Sequence, residues 1–130
     1  MRKLIASLIA CLAATACSSM SAGPQTQTVS GEVIDLACYM LDKGNTTNTH
    51  RGRGYDCAQA CAREGFQVGL LTIDGKVYEL GGGLAANKNA KLVPHLGHTV
   101  SITGALQEKD GLSVISSDAL RMGTESASTR

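Results

Sequence analysis

Two Asp-Gly pairs, Asp74-Gly75 and Asp110-Gly111, each stand between apolar runs of the chain. Such a pair is the strongest short-range sign of a β-hairpin, because a type I′ turn needs positive φ at both central residues. Residues 67–73 and 76–80 therefore read as one hairpin, and residues 98–107 and 112–120 as another. Alternation is cleanest at Val100, Ile102, Gly104 and Leu106, the period of a half-buried strand. An earlier strand is expected over residues 28–36, where Val29 and Val33 alternate before the phase shifts at Ile34 and Leu36. Beside Gly31, that shift predicts a bulge or a sharply coiled strand. Residues 87–96 have room for one or two helical turns, kept short by Pro94 and stopped by Gly97.

The resulting order is strand, long connection, strand, strand, short helix, strand, strand. It resembles the OB-fold, and the run Gly97-His98-Thr99-Val100-Ser101-Ile102-Thr103-Gly104 followed by the Lys109-Asp110-Gly111 turn looks like the closing half of periplasmic OB-like domains. The resemblance implies an all-β domain over residues 28–122. It would be a small five-stranded Greek-key barrel with a short helix and a Cys-rich helical insertion, residues 37–65, between strands 1 and 2.

The N-terminus begins Met1-Arg2-Lys3 and continues from Leu4 to Ala16 without a charge. A basic start, an apolar run and a small-residue exit are the parts of an export signal. The run falls short of the roughly twenty apolar residues a membrane span needs. Residues 1–16 are therefore expected to be a signal peptide. Leu12-Ala13-Ala14-Thr15-Ala16-Cys17 resembles the lipobox of bacterial lipoproteins. That resemblance implies lipidation at Cys17, a flexible tether over residues 17–27, and, with Ser18 next, an outer-membrane position facing the periplasm. Residues 123–130 read as a frayed tail.

Removing Arg2 and Lys3 leaves ten Lys/Arg against eleven Asp/Glu, so no basic excess is available for nucleic acid. With no Trp and only Phe66, Tyr39, Tyr55 and Tyr78 as aromatics, a base-stacking platform is also excluded. Gly81-Gly82-Gly83 lacks the following Lys-Ser/Thr of a phosphate loop and reads as a turn. His95 and His98 read as loop histidines, and residues 50–55 as a solvated basic loop. No Ser/His/Asp constellation suggests catalysis.

The chemistry concentrates in residues 37–65, a connection far longer than the two to five residues or so of a hairpin loop. Three of the chain's five cysteines, Cys38, Cys57 and Cys61, lie there with His50 and Met40. Residues 56–64 read as a short helix with Asp56 as N-cap, Gln59 completing a capping box and Gly65 as the C-terminal stop. Cys57 and Cys61 then share one face, with Cys57 in the first turn, where backbone amides favour a thiolate.

Three readings follow. Cys38, His50, Cys57 and Cys61 form a Cys₃His set suited to Zn, to which Met40 adds a soft donor for Cu. The C-x₃-C pair with a distant His resembles, in its ligands alone, the copper site of membrane-anchored copper chaperones. Alternatively, an oxidising compartment would pair two of Cys38, Cys57 and Cys61 as a disulfide staple and leave one thiol. In the third, Cys57 attacks as a thiolate and Cys61 or Cys38 resolves the mixed disulfide. The expected role is a small binding or envelope-accessory module rather than an enzyme. Its partners would be the membrane through the lipid and an envelope protein or small ligand.

Overall fold

The computed structural model describes residues 23–46 and 55–123. The expected signal peptide, the lipidation site Cys17, the start of the tether, His50 with Arg51 and Arg53, and the tail beyond Gly123 lie outside the described residues. In chain order the elements are β1 (Gln25–Asp35), α1 (Leu36–Leu41), α2 (Tyr55–Arg63), β2 (Val68–Leu71), β3 (Val77–Gly81), the four-residue α3 (Ala86–Asn89), β4 (Thr99–Lys109), β5 (Leu112–Ser116) and β6 (Arg121–Met122). Single 3₁₀ turns occupy Gly82–Leu84 and Val93–His95. No helix among the described residues is long and apolar enough to cross a membrane.

The strands run β1-β2-β3-β5-β4, and a further β1–β4 pairing closes them into a five-stranded barrel, with β6 appended to β4. The β3–β5 pairing is parallel and every other pairing is antiparallel. This mostly β, mixed, closed barrel is consistent with an OB-like fold. Closure leaves none of these five strands with an unpaired edge along its whole length, which suits a small domain.

β1 makes the closure by changing partners. Residues from Gln25 to Glu32 pair with β4, and Glu32 to Asp35 pair with β2, both in one-to-one register. The phase shift read from the sequence is thus a coiled strand and not a bulge. Val29, Gly31 and Val33 face the barrel interior, whereas beyond Val33 both faces are covered, and Ile34 and Asp35 are buried as well. Gly31 stands at the crossing, where a Cβ would lie 2.5 Å from the Leu71 carbonyl oxygen. The strand also begins at Gln25, so the last three residues expected in the tether belong to the barrel.

The two Asp-Gly turns differ. Asp110 and Gly111 have φ of 52° and 78°, the type I′ pattern, and join the paired residues Lys109 and Leu112 directly. At the other, only Gly75 is positive, at 82°. Gly75 N donates to Thr72 O at 3.0 Å and Thr72 N to Lys76 O at 2.9 Å. That is a three-residue loop, a turn closed by a left-handed glycine, and it corrects the type I′ expectation.

The core is the barrel lumen with its lower plug: Val33, Val68, Leu70, Leu92, Leu96, Val100, Ile102 and Ile115 are essentially inaccessible, and Ala58 and Ala62 of α2 join them. Each fully buried aliphatic side chain of this kind contributes about 1.5–3 kcal/mol. α1 lies on the outer face of the sheet, where Leu36 sits over Gly69, whose missing side chain makes the room.

Candidate metal centre

Asp35 ends β1 and caps α1. Its Oδ1 accepts from the Cys38 amide at 3.2 Å, an N-cap bond to the third helical residue. This local bond holds Asp35 beside Cys38, and both are buried.

α2 brings the second half. Its alanines Ala58 and Ala62 lie one turn apart and pack into the barrel end. Cys57 and Cys61 precede each by one residue and form the adjoining, half-buried stripe, while Asp56, Ala60, Arg63 and Glu64 face solvent. The helix is held at several points. Gln59 Nε2 donates to Val93 O at 3.0 Å, and Arg63 Nη2 donates to Gln59 Oε1 at 3.2 Å. Gly65, with φ of 93°, ends the helix: its N–H donates to Ala62 O at 3.0 Å and that of Phe66 to Cys61 O at 3.2 Å. Those two bonds make a Schellman motif and bear out the expected glycine stop. The capping box does not form. The helix starts at Tyr55, which places Asp56 inside the first turn, and Gln59 is engaged with Val93 instead.

Where α1 meets α2, one carboxylate oxygen of Asp35 and the sulfurs of Cys38 and Cys61 all lie within 4.8 Å of one another. A tetrahedral zinc with bonds of about 2.0–2.3 Å holds its donors roughly 3.5–3.8 Å apart, so closing around an ion needs a shift of about 1 Å at most. Closing a disulfide from the same upper separation would need more than twice that movement, since bonded sulfurs stand about 2.05 Å apart. Cys38, Cys57 and Cys61 carry no disulfide.

The Cys61 thiol is pushed up from 9.0 to about 12, first by burial, next by its hydrogen bond to the Asp35 carboxylate, then by the charges of Asp35, Cys38 and Cys57. Without a cation beside it, this sulfur therefore keeps its proton at neutral pH. A metal ion reverses the balance, because it replaces the proton and neutralises the crowded negative groups.

Of the residues singled out from the sequence, Cys38 and Cys61 come together. Cys57 sits one turn before Cys61 on the same face, near enough for their charges to interact but outside the tight trio. His50 lies outside the described residues. Met40 is 52% exposed, and its sulfur accepts from Lys43 Nζ at 3.4 Å. Asp35 was missed by reading the cysteines alone. The missing signal was Asp-x-x-Cys at a strand end, where one side chain both caps a helix and stands beside its third residue.

Cys61 also lines a shallow groove together with Ala60, Arg63, Glu64 and Phe66. No family model, curated protein or solved structure matches the chain.

Proposed function

We propose that this chain is a small envelope-accessory binding module, an OB-like barrel carrying one Zn or Cu ion at the junction of β1, α1 and α2. The export signal and the lipobox-like Cys17 support an anchored position, with the barrel held off the outer membrane into the periplasm. The observation that carries the metal reading is the convergence of Asp35, Cys38 and Cys61, from three separate elements, within 4.8 Å. Two thiolates and a carboxylate form a donor set for borderline metal ions. The role is that of a holder rather than a catalyst.

The deciding experiment is metal analysis and thiol counting on protein taken from its own compartment without reductant. One Zn or Cu per chain, with Cys38 and Cys61 protected from alkylation until a chelator is added, is the expected result. Metal-free protein with Cys38 bridged to Cys61 or Cys57 would replace this reading with that of a disulfide-stapled module.

A further inference from the structure

We propose that the ion is a divalent one of zinc's class rather than Cu(I), held by Asp35, Cys38 and Cys61 with Cys57 as the fourth donor. The inference rests on the metal-site reading above and deepens it by naming the ion and closing the coordination.

The Asp35 carboxylate decides the class. It is only 2% exposed, and one oxygen is already committed to the Cys38 amide. The side chain therefore cannot swing away without uncapping α1, and an ion among these sulfurs must accept an oxygen neighbour. Cu(I) prefers all-sulfur or sulfur–imidazole surroundings, whereas Zn²⁺ takes thiolate and carboxylate together. The hard ions Mg²⁺ and Ca²⁺ need six or more oxygens, and the sulfurs rule them out.

Position decides the fourth donor. Residues at i and i+4 of a helix have Cβ atoms about 5–6 Å apart on one face, so whatever ion Cys61 meets, Cys57 flanks. Cys57 is half-buried on the stripe beside Ala58, whose packing holds that face toward the barrel. To complete the set, the Cys57 sulfur would turn toward the trio while the other three donors close by about 1 Å. The ion then ties α2 to the end of β1 and to α1, adding to the Ala58 and Ala62 packing that already seats α2 on the barrel.

The test uses the full-length protein, reduced and stripped of metal, with Co²⁺ as the optical probe. Expected is one Co²⁺ per chain, with visible bands of a four-coordinate ion and thiolate charge-transfer bands that Zn²⁺ abolishes by displacement. Cys57→Ser should lose about one third of the charge-transfer intensity, one thiolate of three. Asp35→Asn, which keeps the helix cap, should weaken Co²⁺ and Zn²⁺ by about 10–100-fold and leave affinity for chelator-buffered Cu(I) within a few-fold. Circular dichroism on both variants confirms that they fold. Full charge-transfer intensity in Cys57→Ser would overturn the fourth donor. Uptake of Cu(I) with refusal of Co²⁺ and Zn²⁺ would overturn the ion class and leave the metal site standing. Binding of none of the three ions would remove the site itself.

Discussion

The Asp35 side chain accepts from the Cys38 amide at 3.2 Å, so the residue that caps α1 also faces the sulfur of its third residue across the candidate site. The two duties separate by substitution. In metal-free protein, Asp35→Asn retains a good N-cap and removes a buried negative charge, and its stability should stay within about 1 kcal/mol of the parent. Asp35→Ala loses the cap and leaves the amide unpaired, and should cost about 1–3 kcal/mol. Urea denaturation of both variants measures the difference. Equal losses would mean that the charge, not the cap, is what the fold uses.

Two glycines let backbones approach where the barrel closes. A Cβ at Gly104 would overlap the Ser116 carbonyl oxygen, and one at Gly31 would sit 2.5 Å from Leu71 O. Neither neighbour can yield, because both oxygens belong to paired strands, Leu71 opposite Glu32 and Ser116 opposite Ala105. Gly104→Ala and Gly31→Ala should each destabilise by more than about 2 kcal/mol, in the upper range for point substitutions. Gly111→Ala, at positive φ but with open space around it, should cost only about 1 kcal/mol. Thermal melts of the three variants check the ranking, and a Gly31→Ala melt matching the parent would contradict the close crossing of β1 over β2.

These glycines show what a sequence can and cannot disclose. Alternation through Val100, Ile102 and Leu106 is local and marks β4 directly, and Asp110-Gly111 specifies its turn through two adjacent residues. Gly65 likewise announces the end of α2. The closure of β1 on β4 depends on residues about seventy positions apart, and no local pattern carries it. Asp35 stayed hidden for a related reason: α1 is only six residues long, too short for a visible period, so nothing marked Asp35 as a cap. Nor does the run Asn87, Lys88, Asn89 announce that all three adopt left-handed φ of 52–58°, the conformation in which Asn89 reaches the Ala62 and Phe66 carbonyls.

The Thr72–Lys76 loop carries a measurable acid signature. The Thr72 hydroxyl donates to the Asp74 carboxylate, and Lys76 Nζ lies 3.5 Å from its other oxygen. Together with the loop's own amide, they hold Asp74 below its ordinary 3.8, the Thr72 bond most strongly. A carboxyl lowered by folding adds stability above its unfolded value and loses it as pH falls through the folded one. The loop's contribution should therefore be complete at neutral pH and fade below about pH 4. A carboxyl titration by NMR should place the Asp74 midpoint below 3.8 and return it upward in Thr72→Val. A midpoint at or above 3.8 in the parent would refute the assignment.

The anchor is tested in cells. If Cys17 carries the lipid, Cys17→Ser removes the acyl chains that hold the protein, each buried CH₂ of which is worth about 0.8 kcal/mol. The variant should move from the membrane fraction to the soluble periplasmic extract. Its size should fall to that of a chain cut after Ala16 without added lipid. Retention of the variant in the membrane fraction would argue for a protein partner in place of the lipid.

Asn89 is the remaining support of the candidate site. Its Nδ2 donates to Ala62 O and to Phe66 O, each at 2.9 Å, and the side chain is buried. Both acceptors belong to the C-terminal turn that also fixes Cys61, since Phe66 N donates to Cys61 O. The backbone reaches this position only by holding φ at 58°, which costs a residue with a Cβ about 1 kcal/mol and Asn somewhat less. Asn89→Ala loses two buried hydrogen bonds and worsens the backbone, and should cost about 2–4 kcal/mol. Asn89→Gly loses the same bonds but relieves the backbone, and should recover about 1 kcal/mol of that loss. With α2's last turn loosened, amide exchange at Gly65 and Phe66 should accelerate in both variants, and more than at Val100 in the barrel. Uniform acceleration across α2 and β4 would show instead that Asn89 supports the whole fold and not the end of the helix that presents Cys61.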